Sequence, residues 1–351
     1  MILRSTNKKI SFAIRAAAGS VALAFLCLMA GPIQAATLSV LNIPANSSGE
    51  DIQKALDELA GGGEVVLAPG TYEIHRPIVL RHSYQTLRGG GPGTILVLAD
   101  NANCPVVIMG APSQATARTT EHLRLADLQI DGNRTNQQQE LWRVACDGSL
   151  LNNNGVDIWG VNDAVVENVA CYRCRSGGLV AAQARRIDVR NFTAFDNQYD
   201  GLACYFTEES HFSGLRLHDN LAAGISLDLS FQHNVIEDAV LERNDLGIFM
   251  RDSRDNVFQG LNIENSHTHG VFIAESGSST PEGWKLDPST ACTGNQFVAP
   301  VVTNCGGYGI LINDASCTNN VVTDARFVAD TRGGLYERGH ESTGTLAAAI
   351  P

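Results

Sequence analysis

Gly201-Leu-Ala-Cys-Tyr205, Gly224-Ile-Ser-Leu-Asp228, Gly247-Ile-Phe-Met-Arg251 and Gly270-Val-Phe-Ile-Ala274 are four versions of one line, set 23 residues apart. The glycine register extends back to Gly178 and Gly155, so five consecutive intervals are equal. It resumes at Gly309 after an interval of 39, and again near Gly333. About ten residues after each glycine comes a second short apolar run with a polar entry, as in Asn234-Val-Ile-Glu-Asp-Ala-Val-Leu241 and Asn256-Val-Phe-Gln-Gly-Leu-Asn-Ile263. A period in the twenties built from short β runs and polar turns means stacked coils. The Leu-x-x-Leu-x-Leu frame of leucine-rich repeats is absent, and a propeller blade needs about 40 residues. What remains is an all-β chain forming a right-handed parallel β-helix, its coils of about 23 residues adding rungs to parallel sheets at about 4.8 Å spacing. The 34 Gly and 25 Asn are the punctuation of these coils, because Asn tolerates left-handed backbone and ladders with its neighbours. The interval of 39 holds an insertion of about 16 residues within 276–292.

Such a stack needs a lid on its open apolar end. Residues 48–60 carry Ile52, Ala55, Leu56 and Leu59 at helical spacing, with Ser48 as a start and Gly61-Gly62-Gly63 as a stop. A capping helix is expected there. One β-helix domain over 36–338 follows, and the patternless 339–351 is read as a tail.

Charge and composition narrow the function. The chain has 25 Lys plus Arg against 37 Asp plus Glu, a net charge of −12, with 44% hydrophobic and 18% charged residues. A basic nucleic-acid binder, a disordered protein and a coiled coil are excluded. Residues 1–35 read as an export signal: Arg4, Lys8, Lys9 and Arg15 precede an apolar run from Ala16 to Ala30, and small residues follow at Ala35 and Ala36. The run is shorter than the roughly 20 residues a membrane span requires, so the mature chain has no span and the destination is periplasmic or secreted. Its charge is then −16. Eight cysteines remain, at 104, 146, 171, 174, 204, 292, 305 and 317. In an exported chain they are expected as disulfides plus buried thiols. Cys171-x-x-Cys174 lacks the second ligand pair of a zinc site, and Cys204 falls on an inward position.

The helix, the stretch Gly61-Gly-Gly-Glu-Val-Val-Leu-Ala-Pro-Gly-Thr-Tyr72 and the coils resemble the pectate-lyase-like β-helix superfamily. Within it, Leu128-Gln-Ile-Asp-Gly-Asn-Arg-Thr-Asn136 and Ala194-Phe-Asp-Asn-Gln-Tyr-Asp-Gly-Leu202 are most similar to secreted mannuronan C5-epimerase modules, over about 49–275. That resemblance implies the scaffold and a polysaccharide groove. It does not extend to the catalytic motif: where those modules carry Tyr-Gly-Phe-Asp-Pro-His, this chain has Ser176-Gly-Gly-Leu-Val-Ala181, and Tyr205 takes the place of their later Asp.

Alternation along a strand selects the outward residues. Counting each coil glycine as zero, positions +1 and +3 are apolar and face inward, and +2 and +4 face outward. Tyr205, Asp228 and Arg251 therefore stand at +4 on three adjacent rungs, with Trp159 two rungs before Tyr205 and Asp157 at +2 beside it. Aromatic rings pack on sugars, Arg pairs a carboxylate in two-point fashion, and Tyr or Asp exchanges protons. Arg134, Trp142 and Arg143 on one long polar loop, with Trp284 and Lys285 on the insertion, are expected to wall the groove, because solenoid insertions cluster on the binding face. Lys285 is a candidate base. No cofactor is required; Asp252, Glu275 and Asp314 recur at +5 as candidate Ca²⁺ ligands, without the spacing of a recognised loop. The expected activity is that of a lyase or C5-epimerase on an acidic, uronate-containing polysaccharide. The alternatives are a non-catalytic polysaccharide-binding or export-assembly protein, and a glycoside hydrolase using His267, His269 and paired carboxylates.

Overall fold

The computed structural model describes residues 39–110, 120–138, 143–144, 150–151, 153–275 and 291–338. The expected export signal, nearly all of the insertion (276–290) and the tail lie outside them. Within them the glycine register becomes a parallel ladder. Val156 pairs with Leu179, Leu179 with Leu202, Leu202 with Ile225, Ile225 with Ile248 and Ile248 with Val271, each partner 23 residues further on. Val271 then pairs with Ile310 across the interval of 39. Ten such strands form one sheet, and a longer sheet carries 16 strands among the described residues. A narrow third ladder at the coil corner joins Asn162, Arg185, Glu208 and Gln232. The molecule is a parallel β-helix.

The core lies between the sheets. On the ten-stranded sheet every +1 and +3 side chain from Val156 to Ile273 has 0% exposure, Cys204 included. Facing them, the longer sheet stacks Val166, Val189, Phe212, Ile236, Phe258 and Phe297 in register, all likewise buried. The corners turn through left-handed residues, and one column of them runs Arg173, Asp196, Asp219, Arg243, Asn265 and Asn304. Inside the corners buried asparagines ladder from rung to rung. Asn197 donates to Asn220 and Asn220 to Asn244, each at 2.9 Å. Asn234, Asn256, Asn295 and Asn320 repeat the arrangement. Each amide oxygen also takes a backbone N–H, so these buried polar groups are satisfied.

The capping helix spans Gly49–Glu58. Ser48 and Asp51 close a reciprocal capping box, and Ile52, Ala55, Leu56 and Leu59 are buried. Two glutamines pin it to the first coils: Gln53 accepts from the Val79 amide at 2.7 Å, and Gln85 donates to the Leu56 carbonyl at 2.6 Å.

Two sequence expectations change. No disulfide joins the described cysteines. Cys171, Cys174, Cys204, Cys292, Cys305 and Cys317 occupy interior positions as small apolar side chains, and burial holds every one but Cys317 above the usual thiol pKa. The coil is also not uniform. Tyr205 pairs with Asp228 at a step of 23, yet Glu208 bridges Gln232 at 24, and Gln232 pairs with Arg254 at 22. One extra residue enters directly after Asp228, where Leu229 and Ser230 are both left-handed (φ 52° and 69°), and is given back on the same coil before Leu246, which pairs with Ala223 at a step of 23 again.

Candidate functional site

The +4 column forms as the alternation requires. Trp159, Ala182, Tyr205 and Asp228 are register partners on successive rungs, and Arg251 follows opposite Ala274. Asp228 and Arg251 form an ion pair. Asp228 is almost fully enclosed: Oδ2 receives the Arg251 guanidinium and Oδ1 the Leu229 amide at 2.8 Å. Burial raises its pKa while Arg251 opposes the rise. The guanidinium lies 5.1 Å over the ring of Phe249, which stacks on Phe272 at 5.8 Å. The buried Arg251 Nε has no hydrogen-bond partner among the described residues. Tyr205 is half-buried, and its phenol is held neutral by burial first, then by the nearby carboxyls of Asp200 and Asp228. It can donate a proton but is not a phenolate base.

Beside these groups the outward side chains are small. Ala182, Ala203 and Ser226, themselves buried, form a floor of small side chains between Trp159, Tyr205 and Phe249. Outward does not mean exposed here. Asp157 is sandwiched between Ile108 and Val180 on the adjacent rungs and is 4% exposed, as is Trp159. Burial pushes the Asp157 carboxyl up to about 7, with the Asn154 amide at 2.7 Å opposing.

Not every expected groove residue joins this cluster. Arg134 sits in a short 3₁₀ turn (Arg134–Asn136) and gives Nη2 to Asp196 at 2.9 Å, at the corner where the longer sheet ends. Arg143 opens a two-stranded antiparallel hairpin, pairing with Leu151. Trp142, Trp284 and Lys285 lie outside the described residues. Of the +5 carboxylates, Asp252 is fully buried, Asp314 accepts the Glu275 amide, and Glu275 takes the Ser316 hydroxyl. The His269 ring stacks with Phe272 and Tyr308, and its Nδ1 accepts the Tyr308 amide at 2.9 Å. Burial lowers its pKa, so it stands neutral in the outer stack.

Asp200 is the residue that sequence alternation missed. It occupies the turn directly before Gly201, outside the strand Leu202–Tyr205. Its Oδ1 accepts the Ala223 amide at 2.9 Å, and burial pushes its carboxyl up to about 7. The available signals were its place immediately before the coil glycine and its inclusion in the stretch Ala194–Leu202.

Most of the remaining arginines are spent elsewhere. Arg88 pairs with Glu64, Arg124 and Arg190 with Glu167, Arg186 with Asp163, and Arg243 with Asp219. These are solvated pairs between neighbouring rungs. Glu121, His122 and Asp163 gather their ligand atoms within 4.8 Å, but Asp163 already receives both Arg186 bonds.

Comparison with solved structures places this geometry on a known scaffold. The A-module of an Azotobacter vinelandii mannuronan C-5 epimerase is similar at 16% identity, covering 84% of this chain and 95% of that one, with a TM-score of 0.54. The ORF18 protein of Geobacillus virus E2 is similar at 13% identity, covering 87% and 60%, with a TM-score of 0.67. PfbA, a surface adhesin of Streptococcus pneumoniae, is similar at 13% identity, covering 85% and 92%, with a TM-score of 0.52. At these identities the likeness is one of fold. No curated protein matches the chain. The model of the right-handed β-helix region matches residues 129–283 and 230–344, and with the ladders above this makes the chain a member of the right-handed β-helix family.

Proposed function

We propose that this protein is exported and acts on an acidic polysaccharide, removing the C5 proton of a uronate as a lyase or a C5-epimerase. The observation that carries the reading is the stacking of Tyr205, Asp228 and Arg251 on three adjacent rungs beside a floor of small side chains. A uronate carboxylate needs a neutralising partner before C5–H becomes acidic. Arg251 offers one: Asp228 and Phe249 fix its plane, and about a third of its side chain (33%) is exposed. Tyr205, held neutral, is the donor. It stands where the epimerase modules that the sequence resembles carry their later Asp, and an epimerase module shares the fold. No helix among the described residues is long and apolar enough to cross a membrane. A binding role without chemistry is the second reading. It draws on the full engagement of both Asp228 oxygens, which suits a fixed recognition surface, and on the fold shared with a surface adhesin.

The test is a panel of polyuronates. A lyase produces an unsaturated uronate absorbing in the ultraviolet, an epimerase alters uronate stereochemistry without cleavage, and a hydrolase releases reducing ends without the chromophore. Activity is expected in one of the first two assays and is abolished in Arg251→Ala. That variant also leaves Asp228 buried without its counter-ion, so it loses about 1–3 kcal/mol of stability, most of which Asp228→Asn restores without restoring turnover. Binding with silence in all three assays supports the second reading. Normal turnover by Arg251→Ala removes the proposed site.

A further inference from the structure

The C5-abstraction reading leaves the base unassigned, and the structure narrows the choice. Asp228 is the obvious carboxylate, but both of its oxygens are committed, one to the Leu229 amide and one to Arg251. Its part is to hold the guanidinium. Tyr205 is a neutral phenol. Asp157 lies on the Trp159 rung, two rungs before Tyr205, with Val180 between. Asp200 is different on each count. Its Oδ1 is anchored by the Ala223 amide, while Oδ2 holds no hydrogen bond among the described residues. It is half-buried, neither sealed nor free in water.

Its position on the rung also suits a two-sided reaction. Asp200 precedes the strand Leu202–Tyr205 and Tyr205 ends it, with the small Ala203 between them. Five residues of chain span at most about 16 Å between their Cα atoms, and the Asp200 carboxyl is near enough to Tyr205 to help hold its phenol neutral. A sugar ring seated against the partly exposed edges of Asp200 and Tyr205 would meet a carboxyl from one end of the rung and a phenol from the other. Arg251 would lie two rungs along the same face to take its carboxylate.

Resting on the polyuronate reading above, we infer that Asp200 is the proton-abstracting base of this site, opposite Tyr205 as the donor. The carboxylate Oδ2 takes the C5 hydrogen as a proton. The C5–H bond breaks, an O–H bond forms, and the electron pair moves into the C5–C6 bond to give an enolate dianion neutralised by Arg251. In a lyase, that pair then forms the C4–C5 double bond as C4–O4 breaks, and O4 leaves with the phenol proton of Tyr205. In an epimerase, the phenol proton returns to C5 from the opposite face. Either way Asp200 ends protonated and Tyr205 deprotonated, and proton exchange with water resets both. The carboxyl of Asp200, pushed up to about 7 by burial, is a base of suitable strength near neutral pH.

The experiment compares the wild-type chain with Asp200→Asn and Asp200→Glu on the polyuronate that the panel identifies. Turnover, hydrogen–deuterium exchange at C5 in D₂O, substrate affinity and thermal midpoint are all measured. Asn keeps an oxygen to accept the Ala223 amide, so the fold and the affinity are expected to persist. Turnover and C5 exchange fall about 100-fold or more, and the Glu variant recovers part of the loss. A purely structural role for Asp200 would give the reverse, a lowered midpoint with C5 exchange intact. If the wild-type chain turns over and Asp200→Asn matches it within a few-fold, Asp200 is not the base while the polysaccharide reading stands. If the wild-type chain neither cleaves, inverts nor exchanges C5 hydrogen on any polyuronate, that reading fails and the assignment with it.

Discussion

Asp157 shows what one buried carboxyl does to the molecule. Flanked by Ile108 and Val180, it titrates near 7 in the folded chain against an ordinary value of 3.8. Between about pH 4 and pH 7 the folded state therefore keeps a proton that the unfolded state has released. The contribution of Asp157 to stability is fully present below pH 4, declines as pH rises, and is constant above about 7. Asp157→Asn is neutral at every pH and keeps an oxygen for Asn154. The stability of the wild type relative to this variant should thus fall across pH 4 to 7, as measured by urea midpoints in a pH series. A flat difference would mean that Asp157 ionises as freely as in water. The sequence placed this residue on the correct face but could not show that it is sealed, because exposure depends on which side chains occupy the rungs above and below. Asp200 was hidden for another reason: it sits in a turn, where the strand rule that picked out Tyr205, Asp228 and Arg251 does not operate.

At the scale of elements, the asparagine ladders decide how firmly one coil sits on the next. Asn220 accepts from both the amide and the side chain of Asn197, and donates to Asn244 and to the Ala194 carbonyl. Replacing it with Ala strands several buried groups at once. At about 1–3 kcal/mol for each unsatisfied group, Asn220→Ala should cost about 3 kcal/mol or more, read as a lower urea midpoint with an unchanged slope. Asn191→Ala, on the exposed Asn168–Asn191 ladder, should cost far less. A similar loss from both would show that burial of the ladder is not what matters. The ladder tendency was legible from Asn content and left-handed turns. The glutamine pins of the capping helix were not, because Gln53 and Gln85 meet partners 26 and 29 residues away.

Across the whole molecule, each coil touches chiefly its two neighbours, so stability is a sum of local terms with weaker ends. The last strands, Arg326–Val328 and Gly333–Glu337, bury little of themselves, whereas Leu217 and Leu241 are fully enclosed between partners. Amide exchange should therefore be fastest at Phe327 and Leu335 and slowest at Leu217 and Leu241, measured by exchange mass spectrometry or NMR. Uniform protection would indicate one cooperative block instead. The global architecture was the most legible feature of the sequence, since a 23-residue period is written in glycine and in paired inward apolar positions. The cysteines were the less legible part, because a cysteine in a packed coil and a cysteine in a bridge look alike in sequence, and no bridge joins those described.

The extra residue after Asp228 has a wider consequence. The ten-stranded sheet keeps its step of 23 while the corner and the longer sheet beyond it carry one extra residue, returned before Leu246. The solenoid thus works as a ruler with slack at its corners. Length differences in the side walls leave the graduation of the ten-stranded sheet untouched. Insertions at these corners can reshape what borders Ala182, Ala203 and Ser226 without shifting Tyr205, Asp228 or Arg251 by a rung, so the walls and this column can diverge independently on the same stack.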